Sequence, residues 1–183
     1  MAMTRRGTVL MMLGACSTSP GPGPATSHPS PAPAVSSDAA LAGTQTMIQL
    51  IHDLVALLSN EIALDDITGR LGPVAHDPGV PMPAELTPRD PAVRRVEVGR
   101  YPDGGKPYTV ELELASPVPV AALVAAFGAY RQSRTDRGMP REIVFPAAGA
   151  GPWQVVIVAQ LPAGASPIAD DATSAVTLRR DPR

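Results

Sequence analysis

The sequence predicts an α+β fold: a small antiparallel sheet, made of two hairpins and an edge strand, with helices packed on one face. Three observations predict it. Apolar residues recur at helical spacing between residues 44 and 71. After residue 92, short runs alternate apolar and polar side chains, which is typical of half-buried strands. The turn-forming segments PDGGKP and PAAGAGP separate these runs, so neighbouring strands are expected to run antiparallel.

Three helices are predicted. The first begins near Thr44 and carries an apolar stripe of Met47, Ile51, Leu54, Leu58 and Ile62. Such a stripe is typical of a core helix, and docking on a partner is the alternative. The segment LDDITGRLG forms a second helix, with Asp65 near its start and Gly72 at its end. A third helix is predicted from Ser116-Pro117 to Arg131, because proline suits a first helical turn.

The strands follow from alternation and turn signals. The first hairpin pairs Val93–Tyr101 with Tyr108–Leu114. The second pairs Glu142–Phe145 with Trp153–Leu161, whose two apolar faces predict a central place in the sheet. Ala175–Arg179 is predicted as an edge strand, because it ends in charged residues.

Polar residues outside the core are interpreted as surface. Glu111 and Glu113 share one strand face, which predicts a solvated surface with Arg95 as a candidate cross-strand partner. The proline-rich segment Pro73–Pro91 is predicted as an irregular surface connection and a candidate contact surface. A basic loop supplies candidate contacts for an anion or a partner through Arg131, Arg134, Arg137 and Arg141.

The N-terminus has the pattern of an export signal. Arg5 and Arg6 precede a short apolar run, and the small residues Gly14 and Ala15 precede the only cysteine. Leu13-Gly14-Ala15-Cys16 resembles the lipobox of bacterial lipoproteins, and the resemblance covers about the first sixteen residues. It implies cleavage between Ala15 and Cys16, acylation of Cys16, and attachment of the mature chain to a lipid bilayer.

The resemblance also implies an address and a domain plan. The protein is expected in the cell envelope, and Ser17 is similar to that of lipoproteins sorted to the outer membrane, facing the periplasm, where the cell has two membranes. Residues 1–15 are the predicted lipoprotein signal peptide. Residues 16–43 are the lipidated cysteine with a linker rich in proline, serine and glycine, and residues 44–183 form a single α+β domain.

Several function classes are disfavoured. A net charge of −2 and an aromatic content of 3% argue against a nucleic-acid partner. His76-Asp77 has no serine or cysteine nucleophile at an informative spacing, and the chain has no HxH, HxxxH or CxxC motif. We therefore expect no catalytic residue, no metal and no cofactor.

The sequence thus predicts a membrane-anchored bacterial envelope lipoprotein that is not an enzyme and binds another envelope protein. One alternative is an immunity or inhibitor lipoprotein against an envelope-acting toxin or hydrolase. The other alternative is a hydrolase that uses His52, His76 and carboxylates.

Overall fold

The computed structural model describes residues 37–103, 105–133, 141–146, 148–163 and 168–183. Within these ranges the chain forms three α-helices, a short 3-10 helix at Ile168–Asp170, and eight β-strands. The helices are α1 (Ser37–Leu58), α2 (Leu64–Leu71) and α3 (Val120–Phe127). The strands are β1 (Val74–His76), β2 (Ala84–Leu86), β3 (Val93–Arg100), β4 (Pro107–Pro119), β5 (Arg131–Gln132), β6 (Arg141–Val144), β7 (Trp153–Leu161) and β8 (Ala172–Pro182).

The eight strands form one antiparallel sheet in the order β1-β2-β3-β4-β8-β7-β6-β5. The sheet is therefore two four-stranded meanders, β1 to β4 and β5 to β8, joined where β4 pairs with β8. Leu112 lies opposite Val176 at this join, and Leu178 lies opposite Ile157 of β7. This architecture agrees with the predicted α+β class.

The last strand is not at an edge, so that prediction is wrong. β8 lies between β4 and β7, and its Val176 and Leu178 are fully buried. The charged residues at its end predict a protected edge, but the Arg179 side chain is exposed and ion-paired with Asp181, so a central strand can carry this charge. The true edges are β1 and β5, with three and two residues, and short edge strands limit pairing with other chains.

The first helix supplies much of the core. α1 already begins at Ser37, upstream of the predicted start at Thr44. The predicted stripe of Met47, Ile51, Leu54 and Leu58 is buried and clusters with the apolar residues of the central strands. Ala40–Leu58 is also long and apolar enough to cross a membrane by length and composition alone, a test that core helices pass as well.

Long-range pairing moves two predicted boundaries. β4 continues to Pro119, where the sequence predicted helix from Ser116, because Val118 pairs with Thr173 of β8. The third helix is correspondingly short and begins at Val120, whose amide donates to the Asp171 carbonyl. The predicted irregular segment Pro73–Pro91 likewise contains β1 and β2, which pair with each other and extend the first meander.

The second helix and the first hairpin form as predicted, with changed polar contacts. α2 spans Leu64–Leu71, and its N-terminal contact comes from Asp66, which accepts from the Ala63 amide, rather than from Asp65. Glu111 and Glu113 are exposed on β4 as predicted. Arg95 lies opposite Glu113, but its ion pairs are to Glu85 and Glu97.

Candidate functional site

A pocket of about 500 Å³ lies at one end of the sheet. The turn between β3 and β4, the start of β7 and the end of β8 meet there. Its lining residues include the only tryptophan and the only lysine of the chain. We call it the tryptophan pocket, lined by Tyr101, Asp103, Lys106, Trp153, Arg180 and Pro182.

Arg180 lines this pocket and is only 1% exposed. Its Nη1 donates to the Pro107 carbonyl at 2.9 Å, and its Nη2 donates to the Asn60 carbonyl at 2.8 Å. Its Nε has no hydrogen-bond partner. Burial lowers the pKa of the Arg180 guanidinium below its usual range, because a charged group loses hydration there. The side chain ties the segment after α1 to the start of β4.

Trp153 is held on three sides. Its ring centroid lies 4.4 Å from Arg180 Cζ, a cation–π contact. Its backbone amide donates to the Ser59 carbonyl at 3.2 Å, and its Nε1 donates to Glu61 Oε1 at 3.0 Å. Because the ring, the amide and the indole N–H are each engaged, the orientation of this half-buried side chain is well determined.

Glu61 connects the tryptophan to the lysine. Its second oxygen accepts from Lys106 Nζ at 3.0 Å. The hydrogen bond from Trp153, and next the one from Lys106, lower the pKa of the Glu61 carboxyl, since both donors favour the charged form. Glu61 is therefore ionised at neutral pH and has both oxygens occupied, which suits positioning rather than proton transfer.

Aromatic side chains are concentrated around this pocket. The chain has one tryptophan and three tyrosines; Tyr101 lines the pocket together with the tryptophan, and the Tyr108 ring packs against Tyr101 with centroids 4.9 Å apart. In a chain with 3% aromatic residues, this places much of the available aromatic surface at one end of the sheet. Large, ordered aromatic side chains beside charged ones are typical of binding surfaces.

The glycine-rich turn before β7 positions the tryptophan. A Cβ added at Gly151 would lie 2.0 Å from the Ser59 carbonyl oxygen, and one added at Gly149 would lie 2.0 Å from Ser59 Oγ. Glycine therefore allows the turn to approach the end of α1 closely. The turn before β7, which the sequence predicts to be flexible, is therefore packed against the end of α1. This packing places Trp153 next to Glu61 and Arg180.

The predicted arginine contacts are in different environments. Arg131 is exposed on the two-residue strand β5. Arg141 is half-buried and ion-paired with Asp171 at 2.6 Å, so its guanidinium is engaged within the domain. Arg134 and Arg137 lie outside the described residues, and so do the predicted cleavage and acylation residues Ala15 and Cys16.

The residues of the hydrolase alternative lie apart. The ring of His52 on α1 packs against Phe127, with centroids 4.6 Å apart. His76 lies on β1, and its neighbour Asp77 is ion-paired with Arg100, whose hydrogen bonds lower the pKa of that carboxyl. Among the described residues, no group of three His, Cys, Asp or Glu side chains is arranged to hold a metal ion.

Sequence reasoning assigned Trp153 and Lys106 to a strand and a turn without recognising a shared site. The one signal that could have found the pocket is scarcity: the single tryptophan and the single lysine are rare enough to be followed individually. A scan against protein-family models gives no match for this chain, and neither do searches of curated proteins and of solved structures.

Proposed function

We propose that this protein is a lipid-anchored protein of the bacterial envelope whose domain binds another protein and catalyses no reaction. The observation that carries the binding role is the convergence of the only tryptophan, the only lysine, one tyrosine and a buried arginine on one pocket. Tryptophan, tyrosine and arginine are the residue types that contribute most to protein–protein affinity.

The state of these side chains supports recognition over chemistry. Trp153 is held by Arg180 and Glu61 before any partner arrives, so binding would cost little side-chain entropy. Glu61 is ionised and has both oxygens occupied, which makes it a poor general acid or base. In the described part of the chain, His52 and His76 lie on different elements, and neither lines this pocket.

The anchor is proposed from the lipobox alone. Acylation of Cys16 by two or three chains would hold the protein stably on a bilayer, whereas a single chain gives only marginal attachment. The proline-rich segment after Cys16 would hold the domain away from the lipid surface. In a cell with two membranes, Ser17 supports a place on the outer membrane, facing the periplasm.

We also place the helices on a single face of the sheet. Support comes from the contacts of α1 with β4, β7 and β8 and from the exposure of the residues that alternate with the buried ones on β4. The opposite face would then be open to solvent.

Replacing the lipobox cysteine tests the anchor. Cys16→Ala is expected to move the protein from the detergent phase to the aqueous phase on phase separation, because the acyl chains are lost. The intact mass of the native protein is expected to correspond to a chain that starts at Cys16 and carries acyl groups. Ser17→Ala is the matched control, because it keeps the cysteine. A native protein without acyl mass in the aqueous phase would contradict the anchor.

Photo-crosslinking tests the partner. A benzophenone side chain at position 103, on the exposed rim of the tryptophan pocket, is expected to capture one envelope protein in living cells. The same group at position 113, on the exposed face of β4, is the control and is expected to capture less of that protein. Equal capture at both positions, or capture at 113 alone, would overturn the assignment of binding to this pocket.

A further inference from the structure

The lining of the tryptophan pocket has two cationic side chains and one carboxylate. Its charged lining groups are the Lys106 ammonium and the Arg180 guanidinium, against one lining carboxylate, Asp103. The Glu61 carboxylate is not part of the lining and accepts from Lys106. Asp103 and Lys106 are both exposed, so solvent and salt screen both of their charges, whereas the Arg180 cation is buried. A ligand that fits this lining supplies acceptors and negative charge.

The charge of Arg180 is not offset by an ion pair. Among the described residues, no carboxylate lies within ion-pair distance of it, and its two hydrogen bonds go to neutral carbonyls. The nearby Glu61 carboxylate acts on Arg180 electrostatically, but its hydrogen bonds are from Trp153 and Lys106. A buried charge without an ionic partner is unfavourable and acts strongly on an incoming opposite charge, because the surrounding dielectric is low.

Lys106 is the lining cation that is exposed enough to contact a ligand directly. Its side chain is 60% exposed at the rim, so its ammonium can turn to a ligand while Glu61 keeps the hydrogen bond from Trp153. Trp153 and Pro182 supply an apolar wall beside these charges. The pocket therefore combines an exposed ammonium, an aromatic ring, and a buried guanidinium whose two Nη atoms are already hydrogen-bonded.

We infer that the tryptophan pocket binds a carboxylate attached to an apolar group. This inference rests on the proposed function for its source, which is the C-terminus or an acidic side chain of the partner protein. The carboxylate accepts a hydrogen bond from Lys106 at the mouth, and the field of Arg180 stabilises its charge. The attached apolar group packs against Trp153.

The test uses Trp153 as the reporter, because it is the only tryptophan of the chain. The full chain in detergent micelles is titrated with N-acetyl-leucine and, separately, with N-acetyl-leucinamide, which has the same apolar group and no charge. We expect a saturable change in Trp153 fluorescence with the acid, and about tenfold weaker binding of the amide, as loss of a charged hydrogen bond predicts. Saturable binding of the amide as tight as that of the acid would overturn the inference.

Variants locate the site. Lys106→Met is expected to weaken binding of N-acetyl-leucine by about tenfold, whereas Arg95→Met, which removes an exposed cation of β3, is expected to leave it unchanged. Equal weakening by both substitutions would indicate a general charge effect and overturn the site.

N-acetylglucosamine is the neutral comparison, and a response to this sugar without a response to the acid would overturn the carboxylate and favour a glycan.

Further experiments distinguish the two possible sources of the carboxylate, and they distinguish failure of this inference from failure of the proposed function. A peptide with a free C-terminus that loses binding on amidation assigns the C-terminus, whereas retained binding through an internal glutamate assigns an acidic side chain. Capture of a protein at position 103 without any response to N-acetyl-leucine would keep the proposed function and overturn this inference. A response to the acid without any captured protein would support the carboxylate site and overturn the protein partner.

Discussion

Replacing Arg180 with methionine is expected to lower the free energy of unfolding by about 3 kcal/mol. The substitution keeps an apolar stem of similar length but leaves the Pro107 and Asn60 carbonyls without their charged donor. It also removes the cation–π contact with Trp153. Urea denaturation of the full chain, followed by circular dichroism, measures the change as a lower midpoint with an unchanged slope.

Arg179, the residue before Arg180, provides the matched control. Arg179→Met removes an exposed guanidinium that is ion-paired with Asp181, and exposed pairs contribute about 0–1 kcal/mol. The two arginines are adjacent in sequence and on the same strand, so their different effects isolate burial and carbonyl contacts from charge alone. If Arg180→Met were as stable as Arg179→Met, this would contradict the view that Arg180 joins the segment after α1 to the start of β4.

Gly151→Ala is expected to lower the free energy of unfolding by about 2–3 kcal/mol, which is at the upper end of the range for small-to-large substitutions in packed sites. The new Cβ would lie 2.0 Å from the Ser59 carbonyl oxygen and 2.7 Å from its carbon, and backbone atoms cannot move aside cheaply. Gly151 has no positive φ, so the effect is steric rather than conformational. Because this turn carries Trp153, the fluorescence of the folded protein should also change.

Gly69→Ala supplies the comparison. Gly69 lies within α2, and a Cβ there would meet nothing within 4 Å. Alanine is a better helix former than glycine, so this variant should gain up to about 1 kcal/mol. Melting and denaturant curves recorded side by side would reveal the opposite signs. A Gly151→Ala protein as stable as the Gly69→Ala protein would show that the turn does not approach α1 closely.

Local patterns account for the elements that were predicted well. The second helix and β7 have the predicted bounds, Leu64–Leu71 and Trp153–Leu161, because periodicity and breakers determine both within a few residues. The hairpin of β3 and β4 follows from its turn segment. The export signal and the lipobox are likewise properties of consecutive residues, and they remain predictions.

Long-range contacts decided the rest. The charged residues at the end of β8, considered alone, predict an edge strand. The pairing of β8 with both β4 and β7 places it inside the sheet instead. The proline-containing end of β4 favours a helix start locally, and pairing with Thr173 makes it strand instead. In both cases tertiary pairing outweighs a local preference that amounts to about 1 kcal/mol or less per residue.

The sequence by itself determined the class of fold, most of the helices and strands, and the motif that predicts the anchor. Only the tertiary structure decided where the last strand lies and which residues form a pocket. Glu61, Lys106, Trp153 and Arg180 come from four separate parts of the chain, and no spacing rule relates them. They meet because the two meanders join at β4 and β8 while the turn before β7 closes onto the end of α1.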